Sequence, residues 1–167
     1  RRCSSRTTAP NAPTRQAAIR GIAYCVHPMS NATAPRREYG SETVTNGIRV
    51  TVRPQYMARE SSPATDQYVF AYHITIRNEG QHKAQLKSRH WVIVDAEGQR
   101  HDVHGEGVVG HTPTLAPGET FEYASYCPLT TPWGTMEGEY LMEREDGQPF
   151  SASIGRFFLV SLAEPVA

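Results

Sequence analysis

The chain has 167 residues, 17 basic against 17 acidic, and a mean hydropathy of −0.52. That length suits one domain with at most an appendage, and no stretch approaches the roughly eighteen consecutive apolar residues of a membrane-spanning helix, so membrane insertion is excluded. The zero balance hides an asymmetry: residues 1–37 hold seven arginines and no acid, leaving ten basic and seventeen acidic residues from Glu38 onward, a balance of −7. A domain that acidic is a poor general nucleic-acid binder, because such binding rests on clustered cations that neutralise phosphates.

Residues 1–38 read as a basic, disordered leader or an upstream extension. Arg1 to Pro28 combines Arg, Ser, Thr and Ala with three prolines and almost no periodicity, too little apolar surface to offset the entropy of ordering. The chain opens on Arg, and Met29 followed by Ser30, Asn31 and Ala32 reads as a natural start. An organelle transit peptide is the alternative that an Arg- and Ser-rich, acid-poor composition allows.

Beyond Tyr39 the pattern turns to the period-two alternation of half-buried strands. Ile48, Val50 and Val52 alternate with Arg49, Thr51 and Arg53, and Pro54 is expected to end that strand for want of an N–H. Tyr68 to Asn78 is the clearest strand, with Tyr68, Phe70, Tyr72, Ile74 and Ile76 on one face. Asn78, Glu79 and Gly80 make a turn into a strand from Gln85 to Asp95, and Ala96-Glu97-Gly98 makes a hairpin into Gln99 to His104. After a break at Pro113, Pro117 and Gly118, strands are expected at Thr120 to Ser125, Gly134 to Arg144 and, past the Asp146-Gly147 turn, Phe150 to Val160. Seven or so short strands and no helical stripe define an all-β fold. The expected architecture is an antiparallel two-sheet sandwich of immunoglobulin-like or fibronectin type III-like form, spanning residues 39–163 with a short tail at 164–167 and with Trp91, Phe70 and Phe121 between the sheets.

The chemistry-bearing candidates are few. Cys127 is the one cysteine of the domain, since Cys3 and Cys25 lie in the leader; no disulfide can form within the domain, which points to a reducing, cytoplasmic setting. Cys127 precedes Pro128 in a loop-like stretch with no neighbouring base, so it reads as structural. Gly105, Gly107 and Gly110 form a G-x-G-x-x-G run around Glu106. The dinucleotide-binding reading of that motif needs a helix directly afterwards, and Pro113, Pro117 and Gly118 forbid one. A glycine-rich connector remains. Its ordinary role is to supply positive φ or close packing; its functional alternative is an anion-binding nest with Arg89, His104 or His111 as charge partners.

Of the six domain histidines, His101 and His104 flank Asp102, and His90 is on a strand that could neighbour theirs. Imidazole and carboxylate suit a divalent metal, but no zinc spacing is present, and His101 and His104 should point to opposite faces of a strand; surface or hydrogen-bonded histidines are therefore expected, with no metal or cofactor assigned. Glu143, Glu145 and Asp146 read as a solvated hairpin tip. No Ser-His-Asp set or phosphate loop is present, and an enzyme built on Glu106 with His101 or His104 is the least supported reading.

Six ordered motifs across Tyr39 to Leu162 resemble the ApaG family: Thr45-Asn46-Gly47-Ile48-Arg49-Val50, Tyr68-Val69-Phe70-Ala71-Tyr72, Ser88-Arg89-His90-Trp91, Gly105-Glu106-Gly107-Val108-Val109-Gly110, Leu115-Ala116-Pro117-Gly118-Glu119 and Gly134-Thr135-Met136. The resemblance implies a fibronectin type III or immunoglobulin-like sandwich and an association with cobalt resistance and magnesium efflux. It also implies kinship with domains in F-box proteins and a polymerase-interacting protein that look like protein-binding modules. The pyrophosphate-binding loop suggested for the family corresponds here to Gly105, Gly107 and Gly110. The resulting expectation is a non-enzymatic module that binds a protein partner as a monomer or homodimer, with pyrophosphate or nucleotide binding at Gly105 to Gly110 as the alternative.

Overall fold

The computed structural model describes residues 39–162; the leader at 1–38, with Cys3, Cys25 and His27, and residues 163–167, which include the tail at 164–167, lie outside the described residues. Nine strands follow in order: β1 (Ser41–Thr45), β2 (Ile48–Tyr56), β3 (Tyr68–Asn78), β4 (Ala84–Asp95), β5 (Arg100–Glu106), β6 (Thr114–Leu115), β7 (Thr120–Leu129), β8 (Trp133–Arg144) and β9 (Pro149–Val160). A 3-10 turn at Pro63–Thr65 is the one helical element among the described residues. The strands form two antiparallel sheets, ordered β1-β2-β3-β7 and β5-β4-β8-β9, with β6 pairing onto β4. This is the antiparallel two-sheet sandwich that the alternation implies.

The differences from expectation lie at strand ends and in two short strands, β1 and β6, the latter within the stretch expected to be a break. Asn46 and Gly47, at φ 51° and 82°, make a two-residue hairpin turn, so a further strand, β1, precedes Ile48. Pro54 does not end β2, which continues to Tyr56. Pairing with β1 ends where Ser41 meets Val52, so Pro54 has a strand neighbour on one side only, the position in which proline is tolerated. Cys127 and Pro128 lie in β7, not in a loop, and β7 is likewise paired only to β3. The strand expected to end at His104 runs on through Gly105 and Glu106.

Ile48, Val50 and Val52 of β2 and Phe70, Tyr72, Ile74 and Ile76 of β3 face Trp91, Met136, Tyr140, Met142, Ile154, Phe157 and Leu159 from the other sheet, all buried. Each large side chain so enclosed contributes about 2–3 kcal/mol of transfer free energy. Trp91 and Phe70 occupy the gap as expected, whereas Phe121 is only partly buried at its margin. Asn78 is the buried polar staple: its Nδ2 donates to the carbonyls of His82 and Leu115, and its Oδ1 accepts from the Gly80 N–H. On one side the sandwich is closed by Ser41 and Thr43, whose hydroxyls donate to the Gly155 and Ser153 carbonyls of β9 at 2.6 Å. On the other side β5 and β7 are sheet edges.

Three buried phenols sit between the sheets near that open side, and the hydroxyls of Tyr123 and Tyr140 are 2.6 Å apart. Burial pushes Tyr72 up to about 12 and holds Tyr123 and Tyr140 higher still. An acid whose pKa rises on folding contributes stability that is complete below its unfolded value, near 10, and is lost as pH climbs toward the folded value. The urea midpoint should therefore fall between about pH 10 and 12, with a shallower fall in Tyr72→Phe; a profile equally steep in the two proteins would contradict this.

Candidate functional site

The glycine run starts inside β5. Gly105 lies opposite Arg89 of β4, and the Arg89 guanidinium occupies the space a side chain at 105 would need, 2.7 Å from an ideal Cβ there. From that position Nη1 of Arg89 donates to the carbonyls of Glu106, at 3.1 Å, and Gly107, at 2.6 Å. Gly107 has φ 57°, and a Cβ on it would collide with the His111 carbonyl. Val108 and His111 exchange N–H to carbonyl bonds of 2.8 Å across a tight turn, and the Gly107 N–H donates to the Lys87 carbonyl. The chain doubles back here and no helix follows, as the prolines require. Val108 is fully buried, so this loop is a plug on the open side of the sandwich and Arg89 is its clamp.

That arrangement bears on the anion-nest alternative. The N–H groups of Gly107, Val108 and His111 are engaged with backbone carbonyls, as is Nη1 of Arg89. The His111 ring lies 6.2 Å from that of Phe121 in β7. Three loop amides and one Arg89 nitrogen are thus paired with backbone carbonyls of β4 and of the loop itself.

The outer face of the β5-β4-β8-β9 sheet gathers the remaining candidates. Register sets His90 of β4 opposite His104 of β5 and Glu139 of β8. The two imidazoles stack with centroids 4.1 Å apart and an interplanar angle of 8°. Asp102, two residues from His104 on the same face, places Oδ1 2.9 Å from His90 Nε2. Arg100 donates to both Asp102 oxygens at 2.8 Å, and Arg100 first, then His90, holds that carboxyl far below the ordinary aspartate range. His101 lies opposite the buried Ile93 and takes the other face of β5, so it is His90 that joins His104 and Asp102. Ser88, His90, His104, Glu106, Glu139 and Leu141 border an open cleft of about 530 Å³.

Trp133, Leu141 and Phe158 expose 45%, 43% and 43% of their surface. They occupy outward positions of β8 and β9, a feature the sequence reading missed. The available signal was a break in alternation: Leu141 stands between buried Tyr140 and Met142, and Phe158 between buried Phe157 and Leu159. Cys127 is buried, and desolvation pushes its thiol up to about 12, so it is an unreactive core group. Among the described residues no helix is long and apolar enough to cross a membrane.

A two-sheet antiparallel sandwich with a polar outer sheet face defines a small all-β domain. The ApaG domain model matches residues 58–144. Protein ApaG of Methylobacterium sp. strain 4-46 is 54% identical over 115 residues, which is 69% of this chain and 88% of that protein. Protein ApaG of Bordetella pertussis is 49% identical over 131 residues, or 78% and 95% of the two chains. A crystal structure described as an ApaA protein from Bordetella pertussis superposes with a TM-score of 0.67 at 50% identity, covering 72% of this chain and 95% of that one. The chain belongs to the ApaG family.

The clamp has a measurable consequence. Arg89→Met keeps the apolar stem and removes both charged-donor hydrogen bonds, at a cost of about 1–3 kcal/mol. Urea unfolding should register that loss, and amide exchange across residues 105–111 should accelerate; unchanged protection in the loop would show that it holds itself without Arg89.

Proposed function

We propose that this ApaG domain is a non-enzymatic protein-binding module that presents the outer face of its β5-β4-β8-β9 sheet to a protein partner in the cytoplasm. One observation carries the reading: Trp133, Leu141 and Phe158 are exposed on that single face. Trp133 pairs with Val160 and Thr135 with Phe158, so the two aromatics form one patch, while Leu141, opposite Ser151, forms a second at the far end. Between them lie His90, Glu139 and the Arg156–Glu137 ion pair at 2.9 Å. Large apolar anchors framed by polar groups are the composition of a recognition surface, where a few aromatic residues supply most of the binding free energy. The association with cobalt resistance and magnesium efflux that the family resemblance implies is then an indirect effect of that binding on divalent-cation homeostasis.

Site-specific photocrosslinking in cells tests the surface. A photoreactive phenylalanine analogue at position 158 should yield an adduct with a distinct protein, while the same group at Thr51, on β2 of the opposite sheet, should not. Trp133→Glu should weaken that complex at least about tenfold, equivalent to roughly 1.4 kcal/mol. Equal labelling from both positions, or an adduct indifferent to Trp133→Glu, would remove the proposal.

A further inference from the structure

We propose that His90, His104 and Asp102 form a binding site for one divalent transition-metal ion of the Zn²⁺, Ni²⁺ or Cu²⁺ type. The inference goes beyond the docking surface and stands or falls separately from it. Antiparallel register supplies the geometry: two histidines directly opposed on β4 and β5, and an aspartate two residues along β5, all project from one sheet face. Their ligand atoms lie within 4.8 Å of one another. With metal–nitrogen and metal–oxygen bonds of about 2.0–2.2 Å, neighbouring donors around a tetrahedral ion stand roughly 3.3 Å apart. His90 Nε2 and Asp102 Oδ1, at 2.9 Å, are already near that separation. His104, exposed on an edge strand, is the donor with room to turn toward the other two.

The donor set selects the ion. Two imidazoles and one carboxylate suit borderline first-row metals, whereas Mg²⁺ and Ca²⁺ take shells of oxygen. Glu139 Oε1 stands 4.0 Å from His90 Nδ1, on the side of the ring away from Asp102. In the ion-free protein Nε2–H of His90 donates to Asp102 Oδ1, and an ion entering between them takes the place of that proton. The fourth position opens on the cleft, within reach of water or a donor from a bound partner.

Arg100 works against the ion, since its guanidinium occupies both oxygens of Asp102 and adds a positive charge beside the site. Its removal should therefore tighten binding, a response that scattered surface histidines would not give. ZnCl₂ titrated into the full-length chain by calorimetry, with side-chain ¹⁵N spectra of the imidazoles, tests the assignment. Saturable binding is expected, with coordination shifts on His90 and His104. His104→Ala and Asp102→Asn should each weaken it at least about tenfold, Arg100→Gln should strengthen it, and His73→Ala should leave it unchanged. Absence of saturable binding, or binding indifferent to both His104→Ala and Asp102→Asn in variants whose circular dichroism matches the parent, would overturn the site.

Discussion

Trp91 lies with its ring 5.6 Å from that of Tyr72, 6.0 Å from Phe157 and 6.4 Å from Tyr140, each contact edge-on, and so joins β3 of one sheet to β8 and β9 of the other. An aromatic that large, buried from three sides, leaves β4 one orientation. A one-residue slip would turn Trp91 into water and bring His90 inside, at a cost no other contact of the strand offsets. Gly138, opposite Trp91, admits the backbone at this point: a Cβ there would collide with the His90 carbonyl.

The pleat of β4 then assigns the roles of its neighbours. Arg89 shares the inward side with Trp91 and reaches past Gly105 to hold the plug loop, while His90 points outward and meets His104 and Asp102. Three consecutive residues thus serve the closure of the sandwich, the chemistry of its surface and the packing of its core. The glycine motif belongs to the first of these. Gly105 makes room for a guanidinium and Gly107 for a carbonyl.

The same sheet carries two unlike features on its outer face: apolar anchors toward its two ends and a compact group of imidazoles and carboxylates between them. Their proximity matters, because a partner seated across the anchors would cover the histidine pair. Such a partner would also exclude water from Asp102 and its neighbours, strengthening every charge interaction there.

Alternation is a local property of the chain, and it determined β3, β4, β5, β7, β8 and β9, the all-β class and the buried faces of β2 and β3, but not β6; the ordered motifs likewise determined the family. Strand ends were less legible, since Pro54 and Pro128 continue strands wherever a neighbour is missing, and only the sheet order reveals which edges are free. The tertiary structure alone decided that His90, not His101, joins His104 and Asp102, that Arg89 clamps carbonyls, and that Trp133, Leu141 and Phe158 share one face. Those relations depend on register between segments distant in sequence, and pairing across a sheet is set by packing of the whole core, which no local pattern of residues records.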